Sequence, residues 1–112
     1  MTLFEKIAVR EIPARIVAET EEWLAFHDVN PQAPTHVLIV PKRVIPRLVS
    51  ATPDDAGLLG RMLVAASDIA KTLGVSESGF RVVINNGRDA GESVPHLHIH
   101  VLGGRPLQWP PG

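Results

Sequence analysis

The sequence predicts an α+β domain in which one long helix covers a face of an antiparallel sheet of about five strands. One segment, residues 52–74, carries apolar residues at helical spacing, and short β-branched runs lie on both sides of it. Ten prolines and nine glycines divide the rest of the chain into short elements. A length of 112 residues with 45% apolar residues suits a single domain, residues 1–112, with one core.

The chain is expected to begin with a short helix. Thr2 and Glu5 have the spacing of a capping box, in which each side chain accepts a hydrogen bond from the backbone N–H of the other residue. Pro13 would end this helix, because proline interrupts the helical hydrogen bonds. The apolar side of the helix would consist of Leu3, Phe4 and Ile7.

Three strands are predicted next. Residues 14–20 and 22–29 have the composition of a β-hairpin, with a polar turn near residues 20–22. "PQAP" is then a loop. "THVLIVP", residues 35–41, is rich in β-branched side chains and predicts a buried strand.

The long helix has signals at both ends. Thr52 is a suitable N-cap, Pro53 suits the first helical position, and the carboxylates of Asp54 and Asp55 complement the helix dipole. Gly74 suits the C-terminal end. The apolar face would consist of Leu58, Leu59, Met62, Leu63, Ala66, Ile69, Ala70 and Leu73.

The remaining residues supply two further strands. Residues 79–85 predict a strand, residues 86–93 a tight loop that contains glycine, and residues 96–103 the final strand. Residues 105–112 are expected to be irregular, because their three prolines lack a backbone N–H and fix φ.

The final strand holds three of the five histidines of the chain, at a spacing of two residues. Successive side chains of a strand point to opposite faces, so His96, His98 and His100 are expected to line one face. The opposite face, under the long helix, would consist of Leu97, Ile99 and Val101.

The histidine row has three interpretations, of which the first is an exposed polar face. The second is a zinc site, but a rise of ~3.3 Å per residue separates the Cα atoms of His96 and His100 by roughly 13 Å. The chain also has no cysteine, and this strand has no carboxylate, to complete a ligand set. The third is nucleophilic catalysis, which we favour because imidazole attacks phosphorus near neutral pH and also leaves it readily.

The loop before the final strand is consistent with a phosphate ligand. Gly87 and Gly91 allow backbone N–H groups to turn toward an anion, and the Ser93 hydroxyl can donate to a phosphate oxygen. Taken alone, such a loop is more often a plain hairpin connection. Beside three aligned histidines it favours anion binding.

The composition excludes several classes of function. Eleven basic residues nearly balance twelve acidic ones and no basic run exceeds "PKR", so a nucleic-acid polymer is not an expected partner. The absence of cysteine excludes disulfides and thiolate chemistry. No signal-peptide pattern and no apolar run of about 20 residues is present, so we expect a cytoplasmic protein without a membrane partner.

Several segments resemble the Hint branch of the histidine triad (HIT) superfamily, the nucleoside phosphoramidases. "HLHIHVL" matches the triad pattern, and "LAFHDVNPQAPTHVLIVPK", "GESVPHLHIHVLGGR" and "WPPG" extend the match over essentially the full length. The resemblance implies the HIT fold and a homodimer whose two sheets join into one ten-stranded sheet. It also implies hydrolysis of the P–N bond of purine nucleoside 5′-phosphoramidates to AMP or GMP and an amine, with no metal or other cofactor.

The resemblance assigns the catalytic roles. His98 would attack phosphorus, giving a nucleotidyl-histidine that water then hydrolyses. The backbone carbonyl of His96 would orient the His98 ring, and His100 and Ser93 would hold phosphate oxygens. His36, which matches the family's fourth histidine, would assist proton transfer. From the residues alone, a histidine in an apolar strand is more often a hydrogen-bonded core residue.

The resemblance also implies a nucleotide-binding set. Asp28 would accept from the ribose hydroxyls, and Asn85 and Gly91 would lie near the phosphate and ribose. The purine slot would consist of Leu3, Phe4, Ile7, Ile12, Phe26, His27, Val29 and Leu38. Without the resemblance, Leu3, Phe4, Ile7 and Ile12 would be assigned to the ordinary core and Asp28 to a turn.

Some positions depart from the family. Pro95 stands where an aromatic residue is common, and Arg88 and Glu92 change the charge of the phosphate-side loop, which bears on the leaving group rather than on the reaction type. Trp109 is expected to pack across the dimer interface and to shape the leaving-group pocket. The alternatives are a dinucleoside polyphosphate hydrolase of the Fhit type and a nucleotide-binding regulatory protein.

Overall fold

A computed structural model describes residues 1–112 and confirms the predicted α+β architecture. Its two helices and five strands are α1 (Leu3–Ala8), β1 (Ile16–Glu19), β2 (Trp23–His27), β3 (Thr35–Pro41), α2 (Ala56–Thr72), β4 (Phe80–Val83) and β5 (Ile99–Gly103). The strands form one sheet in the order β1-β2-β3-β5-β4, and every neighbouring pair is antiparallel. No helix has both the length and the apolar character needed to cross a membrane.

The capping box at the start of α1 is present as predicted. The Thr2 side chain accepts from the Glu5 N–H, and the Glu5 carboxylate accepts from the Thr2 N–H at 2.8 Å. The predicted end at Pro13 is wrong, because α1 stops at Ala8. The chain turns there through Arg10, whose φ of 67° is incompatible with continued helix.

Helix α2 covers one face of the sheet and completes the larger core. A 3₁₀ turn, Pro53–Asp55, precedes it, and the Asp55 carboxylate accepts from the Thr52 N–H at 2.9 Å. The helix buries Leu58, Met62, Ala65, Ala66, Ile69 and Ala70. The assignment of Leu63 to this face is wrong: the side chain is 48% exposed, and Ala65, omitted from the prediction, packs in the core instead.

Helix α1 packs on the opposite face of the sheet. Its core there is a smaller cluster of Phe4, Ile7, Leu24, Phe26, Leu38 and Val40. Alternation along β2 and β3 supplies both cores, because Ala25, Val37 and Ile39 face α2 while their neighbours face α1. The α1 face is the one on which the functional groups lie.

Strand β5 begins at Ile99 rather than at residue 96, which corrects the predicted regular row of three histidines. The chain around Pro95 bends, and the Leu97 N–H donates to the Ile45 carbonyl at 2.7 Å, outside the sheet ladder. Leu97, Ile99 and Val101 do pack under α2 as predicted. Strand β4 is likewise shorter than residues 79–85.

Candidate active site

A cavity of about 250 Å³ opens on the α1 face of the sheet, where α1, β2, β3 and β5 meet the loop before β5. Apolar side chains form most of its wall, and imidazole, carboxylate and hydroxyl groups lie along one side. It is lined by Leu3, Phe4, Ile7, Ile12, Pro13, Ala14, Phe26, Asp28, Val29, Leu38, Ser93, Val94, His98 and His100.

His98 presents one ring nitrogen without a proton. Its Nδ1 lies 2.8 Å from the carbonyl oxygen of His96, which can only accept a hydrogen bond. Nδ1 therefore carries the proton, and in the neutral ring Nε2 keeps its lone pair. The ring is 5% exposed and its centroid is 5.0 Å from that of Phe4. In its neutral form, His98 can therefore offer the lone pair of Nε2.

His100 has the tautomer opposite to that of His98. A chain of hydrogen bonds from the Gln32 N–H through His36 to His100 determines it. The Gln32 N–H donates to His36 Nδ1 at 3.0 Å, so neutral His36 carries its proton on Nε2. That Nε2 lies 2.9 Å from His100 Nδ1, which must therefore be the acceptor. The proton of neutral His100 is then on Nε2. The cavity receives a donor from His100 beside the lone pair of His98.

Burial keeps the His36 and His100 rings neutral. Burial, with the neighbouring His98 and His36, lowers the pKa of His100 to about 4. Burial also lowers the pKa of His36, against the opposing effect of Asp28, whose Oδ2 lies 3.4 Å from His36 Nε2. At neutral pH the donor and acceptor roles of His36 and His100 are therefore populated.

His96 does not face the cavity, contrary to the predicted row. Its ring is fully buried: Nε2 lies 2.6 Å from the Pro41 carbonyl and Nδ1 lies 2.6 Å from the Thr2 hydroxyl. Burial lowers its pKa, against the opposing hydrogen bond to Pro41. Only the backbone carbonyl of His96 reaches the His98 ring.

The loop before β5 is held by an ion pair that the sequence did not reveal. Arg47 contacts the Glu92 carboxylate with Nε at 2.9 Å and Nη2 at 3.0 Å, and Glu92 Oε1 also accepts from the Gly87 N–H. These contacts, the hydrogen bond to Arg47 foremost, lower the pKa of Glu92. Gly87 and Gly91 adopt φ of 87° and 79°, which glycine tolerates best. Ser93 directly follows Glu92 in the sequence and lines the cavity.

Asp28, His36 and His100 are close enough to be considered as metal ligands, with one ligand atom of each within 4.8 Å of the others. A cation bound at His36 Nε2 would displace the proton from that nitrogen. Nδ1 could not take the proton up while it accepts from Gln32, so a neutral imidazole does not fit this role. The three groups instead satisfy one another through hydrogen bonds and charge.

The structure brings most of the predicted site residues to one cavity. Of the predicted set it gathers Leu3, Phe4, Ile7, Ile12, Phe26, Asp28, Val29, Leu38, Ser93, His98 and His100. His36 lies directly behind His100. His27, Asn85 and Gly91 do not line this cavity, and their assignment to the nucleotide stays a prediction from the resemblance.

Trp109 also lies away from the cavity. Its side chain is 81% exposed, and the Arg81 guanidinium lies 6.0 Å from the ring centroid. Arg81 further donates to the Gln108 carbonyl at 2.9 Å, which fixes the C-terminal segment along β4, the edge strand of the sheet.

Sequence reasoning missed several contributors. Pro13, Ala14 and Val94 line the cavity, and their positions beside Ile12 and Ser93 were a usable signal. The backbone N–H of Gln32, which determines the His36 tautomer, has no signal in residue type.

Comparison with known proteins places this geometry in a family. The HIT domain family model matches residues 9–107. An uncharacterised HIT-like protein of Synechocystis is 57% identical over 99% of this chain and 96% of its own length. The crystal structure of a HIT family hydrolase from Legionella pneumophila has a TM-score of 0.98 at 47% identity, with both chains fully covered.

A histidine triad nucleotide-binding protein from Candida albicans has a TM-score of 0.83 at 34% identity, over 98% of this chain and 83% of that one. The sequence match and the shared fold agree with one another. The chain therefore belongs to the histidine triad (HIT) family and is Hint-like within it.

Proposed function

We propose that the protein hydrolyses the P–N bond of purine nucleoside 5′-phosphoramidates, releasing AMP or GMP and an amine. The observation that carries the proposal is the pairing of His98 and His100: an unprotonated Nε2 and an Nε2–H donor face one cavity beside an apolar slot. The likeness to a hydrolase and to a nucleotide-binding protein supports it.

The first step forms a bond between His98 Nε2 and phosphorus while the bond from phosphorus to the amine nitrogen breaks. The ring becomes cationic, and the His96 carbonyl stabilises it through the hydrogen bond from Nδ1–H at 2.8 Å. The leaving amine takes a proton from solvent, while the hydrogen bond from His36 Nε2–H to His100 Nδ1 keeps His100 Nε2–H as a donor to a non-bridging oxygen.

The second step reverses the proton movement. Water attacks the nucleotidyl-histidine and releases a proton to solvent, and His98 leaves with its lone pair restored. The Ser93 hydroxyl and His100 hold the non-bridging oxygens in both steps. No metal or other cofactor enters the scheme.

The apolar slot would hold the purine. Phe26, Leu38 and Ile7 form its buried floor, while Leu3 and Val29 at its mouth are more exposed. Asp28 Oδ1 accepts from the Asn30 N–H at 2.9 Å, and Oδ2 lies toward His36 at 3.4 Å. We assign this carboxylate to the ribose, because its two oxygens can accept hydrogen bonds from two adjacent ribose hydroxyls. Phe4 and Ile12 complete the wall, and His27, Asn85 and Gly91 join the set by resemblance.

The proposal includes a homodimer. The edge strand β4 has an unpaired side, and pairing it with the β4 of a second copy would give a ten-stranded sheet. Exposed Trp109 follows this edge and would reach the partner's leaving-group pocket.

Analytical ultracentrifugation tests the oligomeric state, for which we expect a dimer. Removing residues 107–112 should change the preference between bulky and small amines, and an unchanged preference would refute the role of Trp109.

The test of the proposed activity is hydrolysis of AMP-morpholidate and of diadenosine triphosphate by wild type and His98→Ala, with excess EDTA. We expect faster wild-type turnover of the morpholidate, a silent variant and no effect of EDTA. Faster turnover of diadenosine triphosphate would favour the Fhit-type hydrolase. An inactive wild type that binds AMP would favour the regulatory protein, and activity lost only with EDTA would favour metal chemistry.

A further inference from the structure

We propose that Thr2 is a positioning residue for the nucleophile: its hydroxyl anchors the buried His96, whose carbonyl orients His98, while Thr2 also caps the helix that walls the purine slot. Its kinetic consequence rests on the proposed function, whereas its structural consequence does not. Thr2 does not line the cavity and would act only through His96 and α1.

The Thr2 hydroxyl has two hydrogen-bond partners, one that uses a lone pair of its oxygen and one that uses its hydrogen. Its oxygen accepts from the Glu5 N–H at 3.1 Å, which begins α1. The same oxygen lies 2.6 Å from His96 Nδ1, a residue 94 positions along the chain. A hydroxyl has one hydrogen and two lone pairs, so it can accept from the helix and donate to the imidazole at once.

The direction of the second bond follows from the other side of the His96 ring. Nε2 lies 2.6 Å from the Pro41 carbonyl, which only accepts, so Nε2 carries the proton. Burial keeps the ring neutral, so Nδ1 must be an acceptor and the Thr2 O–H is its donor. The ring is fully buried, and removing the hydroxyl would leave Nδ1 unpaired away from water.

The two hydrogen bonds fix His96 from both ends of its ring. Its backbone carbonyl accepts the Nδ1–H of His98 at 2.8 Å, so the direction of that carbonyl sets the plane and tautomer of the nucleophile. Residues around His96 lack the regular ladder of β5, which starts only at Ile99. The side-chain bonds of His96, together with the backbone bond from the Leu97 N–H to the Ile45 carbonyl, therefore perform the positioning that a strand would otherwise provide.

The same anchor joins the slot to the nucleophile. Thr2 caps α1, and Phe4 of α1 has its ring centroid 5.6 Å from that of His96 and 5.0 Å from that of His98. Releasing Thr2 from His96 would loosen both the wall of the slot and the orientation of the catalytic ring. We therefore expect the loss to affect KM and kcat together.

The decisive comparison is Thr2→Val against Thr2→Ser. Valine keeps the shape of the side chain and lacks the hydroxyl, whereas serine keeps the hydroxyl. We expect Thr2→Val to lower kcat/KM for AMP-morpholidate by about ten-fold, with kcat contributing, and Thr2→Ser to remain within about three-fold of wild type. Glu5→Ala is the matched control, because it weakens the same cap while leaving the Thr2–His96 bond in place.

Nuclear magnetic resonance of the histidine rings gives a readout that is independent of activity. The His98 Nδ1–H proton should exchange slowly with water in wild type, Thr2→Ser and Glu5→Ala, and at least about ten-fold faster in Thr2→Val. If Thr2→Val does not fold, Thr2→Gly provides the same loss of hydroxyl with a residue that still suits an N-cap.

Each outcome decides the proposal. Unchanged His98 exchange in the folded variant without the hydroxyl would overturn the positioning role. Equal losses in Thr2→Val and Glu5→Ala would overturn it in favour of simple helix capping. A wild type that is inactive on AMP-morpholidate would refute the proposed function only, because the exchange measurement still tests Thr2.

Discussion

The lowered pKa of His100 predicts that the protein loses stability between pH 6.5 and pH 4. Burial first, and then the neighbouring His98 and His36, lower this pKa from 6.5 to about 4 in the folded protein. Between pH 6.5 and pH 4, His100 therefore binds a proton in the unfolded chain but stays unprotonated in the folded protein. Stability consequently rises with pH through the window, is complete above pH 6.5, and is lost as the pH falls toward 4.

The size of the effect follows from the same pKa values. A shift from 6.5 to about 4 corresponds to about 3 kcal/mol, at about 1.4 kcal/mol per pKa unit. Between pH 7 and pH 4.5, about 2 kcal/mol of this is lost. His36 and His96 also have lowered pKa values and add to the total, so the contribution of His100 must be isolated by substitution.

The substitution His100→Asn isolates the contribution of His100 to the loss of stability at low pH. Asparagine cannot take up a proton in this range, and its amide oxygen can accept from His36 Nε2–H as His100 Nδ1 does. Urea unfolding at pH 7 and at pH 4.5 gives the free energy of unfolding for both proteins. Wild type should lose about 2 kcal/mol more than His100→Asn over this interval. Equal losses would refute the assignment of a lowered pKa to His100.

Three further predictions concern β5, the loop before it and the ribose. Gly103→Ala should lower the free energy of unfolding by about 1–3 kcal/mol in urea titrations, because a Cβ there would lie 2.9 Å from the Val75 Cβ; an unchanged stability would contradict this contact. Arg47→Gln should lower kcat/KM by exposing the phosphate to an unpaired Glu92 carboxylate, and adding Glu92→Gln should restore much of the loss; a double variant as slow as the single would contradict the charge explanation. Asp28→Asn should weaken binding of AMP far more than of 2′,3′-dideoxy-AMP in calorimetry, and equal weakening would exclude a ribose contact.

The sequence predicted the fold because its elements carry local signals. The capping box of Thr2 and Glu5 and the apolar spacing of α2 depend on neighbouring residues only, and both are present in the structure. Leu63 was misplaced because helical spacing does not show how wide the buried stripe is, and the sheet covers only part of the helix. The end of α1 was misplaced because Arg10 takes a left-handed conformation that residue type does not signal.

The candidate site was only partly predictable from residue spacing. Strand alternation correctly separated Leu97, Ile99 and Val101 from the histidines. It did not show that the three histidines have different surroundings, since His96 bonds to Pro41 and Thr2 and is fully buried outside the cavity lining. Those partners are distant in the chain, so only the fold brings them together. The tautomers of His36 and His100 likewise depend on a backbone N–H.

The most direct test of the central claim is the detection of the nucleotidyl-histidine. Wild type would be mixed rapidly with AMP-morpholidate, quenched in alkali because phosphoryl–imidazole bonds are labile in acid, and digested for peptide mass spectrometry. We predict one nucleotidyl group on His98 and none in His98→Ala. Turnover without any adduct, or an adduct on His36 or His100 instead, would contradict the account.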